Sequence, residues 1–183
     1  MIGADFDETL NAAKAGDEAA VRALYRDLNP SLVRFLEAQA LGAGEDLAQD
    51  VWLAAAKSFV SFSGDEHGFR AWMFTIARRH AIAYWRQTRR RPSQVIDPAD
   101  LSERGDPASA EPDLGMLSDE AVRLLVAGLT REQAEIVLLR VVGGFDAEEV
   151  ASMVGKPAST VRVLQHRALR KMAQRFSTGS VTK

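Results

Sequence analysis

The chain has 183 residues, 46 % of them hydrophobic and 26 % charged, with a formal net charge of −2; this is the balance of a soluble globular protein of one or two small domains. It has no cysteine, which excludes disulfides, thiolate metal sites and cysteine nucleophiles and fits a reducing cytoplasm. The N-terminal MIGADFDETLNAAKAGDE is polar and acidic, unlike a signal peptide, and no apolar run approaches the roughly 20 residues needed to span a bilayer.

From about residue 5 to residue 91, Ala, Leu, Arg and Glu dominate, and apolar residues recur at spacings of three and four, the period of helices. A first helix is predicted over Phe6 to Ala15. Gly16-Asp17 breaks it, and Asp17 is placed to cap the next, which runs through VRALYRDL. Asn29-Pro30 reads as a stop and restart before SLVRFLEAQA. After a loop at Leu41 to Gly44, EDLAQDVWLAAAKSF reads as a helix, Ser61 to Gly68 as a loop, and FRAWMFTIARRHAIAYWRQTRR as a long helix ended by Pro92.

The EDLAQDVWLAAAKSF helix sets an apolar face of Leu47, Val51, Ala54 and Ala55 against acid at Glu45, Asp46 and Asp50. Acid in a first turn suits the helix dipole; it equally suits docking of a basic partner. The helix from Phe69 carries two non-polar stripes. One, with Phe69, Trp72, Met73, Ile76, His80 and Ala83, reads as core, and His80 as a packed histidine. The other interleaves Phe74, Ala81 and Trp85 with Arg78 and Arg89. Bases stacking on aromatic faces while phosphates pair with arginines would explain this second stripe. Packing of Phe74 and Trp85 on another helix, shielded by the arginines, would explain it too.

Residues 92 to about 115 are rich in Pro, Asp, Ser, Ala and Gly and read as a linker. Charge follows this division. Seven arginines and no acid lie between Phe69 and Arg91; eight carboxylates against Arg104 alone lie between Asp97 and Glu120; six Lys or Arg and no acid lie between Lys156 and Arg175. A polyanion would be drawn to both ends and repelled from the middle.

Helical patterning returns with SDEAVRLLVAGL, TREQAEIVLLRVVGG, FDAEEVASMVG and PASTVRVLQHRALRKMAQRF, followed by a tail expected to fray. The last two helices form a helix-turn-helix pattern. Asp146 is placed to cap the first, Gly155 to end it in the left-handed conformation, and Ser159 or Thr160 to cap the second. On the second helix Val161, Leu164, Ala168, Met172 and Phe176 fall to one side, and Arg162, Val163, His166, Arg167 and Arg170 to the other. Arginines on an exposed face can read guanine edges in a major groove, with Thr160 and Lys171 near phosphates; a merely solvated face has the same pattern.

Together these segments resemble the extracytoplasmic-function (ECF) sigma factors of the sigma-70 family, from about Phe6 to Phe176. EDLAQDVWLAAAKS resembles region 2.2, FRAWMFTIARRHAIAYWRQTRR regions 2.3 and 2.4, and LTREQAEIVLLRVVGGFDAEEVASMVGKPASTVRVLQHRAL region 4. The resemblance implies an all-α fold of two small helical domains, σ2 and σ4, the latter with the helix-turn-helix, joined by a flexible acidic linker. The expected division is 1–91 for σ2, 92–115 for the linker, 116–177 for σ4 and 178–183 for a disordered tail.

It further implies a cytoplasmic subunit without enzymatic activity, catalytic residues, metal or cofactor, whose partners are core RNA polymerase (the β′ clamp helices and β flap), promoter DNA and an anti-sigma factor. By position, Asp46, Gln49, Asp50 and Trp52 would dock on the polymerase. Ser61, Phe62, Ser63, Gly64 and Asp65 would hold a flipped base of the −10 element, with Phe74, Arg78, Trp85 and Arg89 guiding the single strand. Thr160, Arg162, Val163, His166, Arg167 and Arg170 would face the −35 element. The chain departs from common family residues at Arg79, Ala83, Ser159, Val163 and Leu164, so its promoter sequence is its own.

Without the resemblance, a helix-turn-helix regulator acting without polymerase accounts for the C-terminal domain, but not for the acidic helix or the arginine-aromatic helix. A helical enzyme fares badly, with three histidines, no cysteine and no Gly-rich phosphate loop.

Overall fold

The computed structural model describes residues 2–90 and 119–179, without the side chains of 89, 90, 119 and 176–179. Every regular element among these residues is helical. The expected linker at 92–115 and residues 180–183 of the expected tail lie outside them. The chain divides into two compact units, Met1–Trp85 and Arg86–Lys183.

In the first unit a 3-10 turn at Gly3–Asp5 leads into α1 (Phe6–Lys14), followed by α2 (Glu18–Glu37), α3 (Gly44–Ala56), a 3-10 turn at Phe59–Ser61 and α4 (Glu66–Arg90), whose residues from Arg86 onward belong to the second. Asp17 caps α2 as its position suggests, its carboxylate accepting from the Ala20 N–H at 2.9 Å. The expected break at Asn29-Pro30 is absent: α2 runs through Pro30. A proline inside a helix costs about 3 kcal/mol, while each fully buried Leu or Phe returns about 1.5–3 kcal/mol. Leu24, Leu28, Leu32, Phe35 and Leu36 form one stripe, the last three with no exposed surface. A break at residue 29 would uncouple half of that stripe from the other. Pro30 and Arg26 are both exposed, so the Arg26 carbonyl, deprived of its helical N–H partner, faces the solvent side.

α2 packs against α1 and α3. The Glu37 carboxylate accepts from the Gly42 and Gly44 N–H groups, both at 2.9 Å, and so closes the turn between α2 and α3. α3 stops at Ala56, short of the predicted Phe59, because Phe59 turns inward through the 3-10 segment and meets Phe69 edge-on at 6.1 Å.

The second unit contains α5 (Asp119–Val126), α6 (Arg131–Val141), α7 (Ala147–Val154) and α8 (Ala158–Gly179). α6 is its centre. A reciprocal capping box between Thr130 and Gln133 starts it, and Ile136, Val137, Leu138 and Leu139 are all buried. Consecutive buried residues require cover on several sides, and α5, α7 and α8 all pack on α6. α8 reaches Gly179, two residues into the expected tail.

Candidate nucleic-acid interface

The helix-turn-helix is assembled by local rules. The Asp146 carboxylate accepts from the Glu149 N–H at 2.8 Å while the Glu149 carboxylate accepts from the Asp146 N–H at 2.7 Å, a second reciprocal box. α7 ends at Gly155, whose φ of 67° and ψ of 39° lie in the left-handed region that disfavours any side chain. The Lys156 ammonium meets Glu132 at 2.7 Å, tying the turn to the start of α6. The next helix then begins earlier than expected. The Pro157 carbonyl accepts from the Val161 N–H at 3.1 Å, so Ser159 and Thr160 lie inside the first turn of α8 and do not cap it. Pro157, just ahead of the helix, supplies the first accepting carbonyl and its fixed φ suits a helix start.

On α8, Val161 and Ala168 are fully buried and Leu164 and Met172 half-buried, while Arg162, Val163, His166, Arg167 and Arg170 are all exposed. Thr160 is half-buried, and the side chain of Phe176 lies outside the described residues. Val163 is 49 % exposed in the midst of this basic face, where an apolar contact such as a thymine methyl would suit it. Arg162 pairs with Glu148 of α7. Both partners are more than half exposed, so the pair is worth about 0–1 kcal/mol and opens readily for a better ligand. Lys171 differs from expectation. Its ammonium donates to the Gly128 carbonyl at 2.9 Å, and Arg175 donates to the Ala127 carbonyl. Both close the C-terminal end of α5, where carbonyls lack helical partners and the dipole is negative, instead of standing ready for phosphates.

In the first unit, Glu45, Asp46, Gln49 and Asp50 are exposed on α3, opposite buried Leu47, Ala48, Val51 and Ala55. α3 has no side-chain cap, and acid in its first turn compensates its unpaired N–H groups. Trp52 is half-buried. Its indole N–H donates to Asn29 Oδ1 at 3.0 Å, and its ring meets Tyr25 at 5.2 Å. Tyr25 and Val21 are 41 % and 45 % exposed. Their signal in the sequence is two apolar residues, four apart, off the buried stripe of α2.

The loop before α4 is shorter than expected. Asp65 Oδ1 accepts from the Gly68 N–H at 2.7 Å and so starts α4 at Glu66; only 62–65 remain irregular. Ser61, Ser63, Gly64 and Asp65 are exposed. The Phe62 ring stacks on Trp72 at 5.1 Å and meets Phe69 edge-on at 5.4 Å. A side chain at Gly64 would come within 3.1 Å of that ring.

α4 buries one broad apolar stripe where the sequence predicts two. Phe74 has no exposed surface and packs edge-on against Phe35 at 5.2 Å, with the Arg70 guanidinium 6.0 Å from its ring. Ala81 is buried, and Trp85 is half-buried with its indole N–H on the Gln39 carbonyl at 2.8 Å. Arg78 is half-buried. At about 100° per residue, Phe69, Met73, Ala77, Ala81 and Phe74 fall within roughly 140°. They are one broad stripe centred on Met73 and Ala77, and the two supposed stripes were its edges. Phe74 is therefore core and no platform for a base, and Ala83, placed in the core by sequence, is exposed. The side chain of Arg89 lies outside the described residues. Among the described side chains of α4, the exposed arginines are Arg79 and Arg86, before and after Ala83 in sequence. Neither arginine lies on the aromatic stripe of α4, so the aromatic pattern does not point to them.

No helix among the described residues is long and apolar enough to cross a membrane, and none of their His, Cys, Asp and Glu groups form a cluster suited to a metal.

Residues 21–91 match the family model for Sigma-70 region 2, and residues 119–172 that for Sigma-70, region 4. The chain is 31 % identical over 173 residues to the ECF RNA polymerase sigma factor ShbA of Streptomyces griseus subsp. griseus, spanning 89 % of this chain and 91 % of that one. To the ECF RNA polymerase sigma factor SigD of Mycobacterium tuberculosis it is 32 % identical over 181 residues, spanning 94 % and 84 %. Among solved structures, CnrH in complex with the cytosolic domain of CnrY shares the fold at a TM-score of 0.66 and 18 % identity, over 96 % of this chain and 99 % of that one. The sigma factor RpoE of Bartonella quintana, in complex with the anti-sigma factor NepR, does so at 0.62 and 24 %, over 86 % and 96 %. Two helical units of matching order, two region models and relatives matched over most of their length all agree: the chain belongs to the ECF sigma factors of the sigma-70 family, non-enzymatic subunits that direct transcription initiation.

Proposed function

We propose that the chain directs core RNA polymerase to its promoters through three separate surfaces. The exposed face of α8, with Arg162, Val163, His166, Arg167 and Arg170, reads the −35 duplex from the major groove, with Thr160 beside the backbone. The exposed rim of the 61–65 loop receives an unpaired −10 base, and Arg79 and Arg86 hold phosphates of the same strand. Phe74, Arg78 and Trp85 serve by shaping α4 from within, and Arg89 extends the basic run. Asp46, Gln49 and Asp50, flanked by the Trp52–Tyr25 pair, dock on the β′ clamp helices, and the second unit meets the β flap.

The observation that carries this reading is the segregation on α8. Its whole basic face is solvent-exposed while its apolar face is spent on the core. An anti-sigma factor is a further partner, as it is for the relative RpoE, and the cytoplasm is the compartment in which the three surfaces have their targets. The test is run-off transcription by core polymerase with and without the chain on genomic fragments. Discrete new start sites that require the chain support the reading. DNA binding without core association would instead assign a regulator acting alone.

A further inference from the structure

We propose that Lys14 is a positioning residue for −10 recognition, acting through the backbone of the 61–65 loop; this rests on the reading of that loop as the seat of an unpaired base. The loop is fixed at both ends. Ser61 Oγ donates to the Ser58 carbonyl at 2.8 Å, and Asp65 caps α4. Between them, the Phe62 ring is held against Trp72 and Phe69. None of these contacts holds the peptide unit joining Phe62 to Ser63.

Lys14 holds that unit by its carbonyl. Its ammonium, from the last turn of α1 and 48 residues away in sequence, donates to the Phe62 carbonyl at 2.5 Å. A trans peptide is planar, with its C=O and N–H pointing in opposite directions. Holding the carbonyl toward α1 therefore aims the Ser63 N–H away from α1, on the exposed part of the loop. A cation on the carbonyl also polarises the peptide and strengthens that N–H as a donor.

α1 is itself anchored beside the loop. Glu66, in the first turn of α4, accepts from the Ile2 N–H at 2.6 Å and the Gly3 N–H at 3.0 Å, and Phe6 packs on Phe69 at 5.8 Å. The lysine thus reaches the loop from a fixed base. The outcome is a directed backbone donor at Ser63, suited to an acceptor on the edge of an unpaired base.

The test uses full-length Lys14→Met and Lys14→Arg in holoenzyme. Binding is measured to single-stranded non-template oligonucleotides in which each −10 base is substituted in turn, alongside core affinity and thermal melting. Lys14→Met is expected to weaken the preferred oligonucleotide by roughly 2- to 12-fold, the worth of one neutral hydrogen bond. It should flatten discrimination at one base position and leave core affinity unchanged; Lys14→Arg should restore discrimination. Ser63→Leu, on an exposed position, separates the two layers of the argument. If Ser63→Leu binds and discriminates like wild type, the loop seats no base, and the inference falls with that reading. If Ser63→Leu is impaired while Lys14→Met discriminates normally, the reading stands and the role of Lys14 is refuted. Equal losses at every base together with lowered core affinity would make Lys14 a structural residue only and overturn the inference.

Discussion

Replacing Phe74 with alanine separates a core aromatic from a base-stacking one. Phe74 has no exposed surface, and its ring meets Phe35 edge-on at 5.2 Å. Truncating a buried Phe costs about 3–5 kcal/mol through lost transfer energy and the cavity left behind. A unit the size of Met1–Trp85 has roughly 4–13 kcal/mol of stability to lose, at about 0.05–0.15 kcal/mol per residue. At about 4–8 °C per kcal/mol, Phe74→Ala should lower the melting temperature of the first unit by roughly 12–40 °C. Phe74→Leu, which keeps most of the volume, should lose about 1.5 kcal/mol or less. The assay is thermal unfolding of the full chain followed by calorimetry, with single-strand DNA binding measured well below the transition. Arg79→Ala provides the contrast: at an exposed position it should shift stability by about 0.5 kcal/mol or less while weakening single-strand binding. A Phe74→Ala chain that melts within about 3 °C of wild type yet fails to bind single strands would refute the assignment of Phe74 to the core.

Arg162→Ala should weaken recruitment to −35 duplex by about 1–3 kcal/mol, roughly 5- to 150-fold, and relax choice at one base pair, while templates with a pre-opened −10 bubble suffer much less; competition binding against single-base variants checks both. Asp46→Arg with Asp50→Arg reverses charge on the exposed face of α3. Core affinity should fall at least about tenfold with helicity intact, and an unchanged affinity would remove this face from the docking surface. Gly155→Ala places a side chain at a φ of 67° in open space. The penalty is backbone strain alone, about 1–2 kcal/mol, read as a lower melting temperature of the second unit with core binding retained.

Much of this architecture was legible in local chemistry. Asp17, Asp146 and Gly155 act at the helix ends where their side chains, or the lack of one, satisfy the first N–H groups or permit a left-handed turn. Such signals involve residues within four positions of each other, so neighbours in sequence are enough to read them. The two faces of α8 were legible for the same reason: an amphipathic helix with a full basic side has only one side left to bury.

Only the tertiary structure decided the remainder, because each of those features depends on a partner distant in sequence. Pro30 reads as a stop until Leu32, Phe35 and Leu36 are seen to be buried, which outweighs the proline's cost. Phe74 reads equally as platform or core until Phe35 of α2 is found against its fully buried ring, and the tie of the Trp85 indole N–H to the Gln39 carbonyl is likewise invisible along α4 itself. Lys171 reads as a phosphate ligand until the Gly128 carbonyl, 43 residues away, is found at its ammonium. Helical periodicity establishes that an aromatic or a cation lies on a given side of its helix. Whether that side meets solvent, core or another backbone is settled by the packing of elements against one another, and the sequence carries no local record of it.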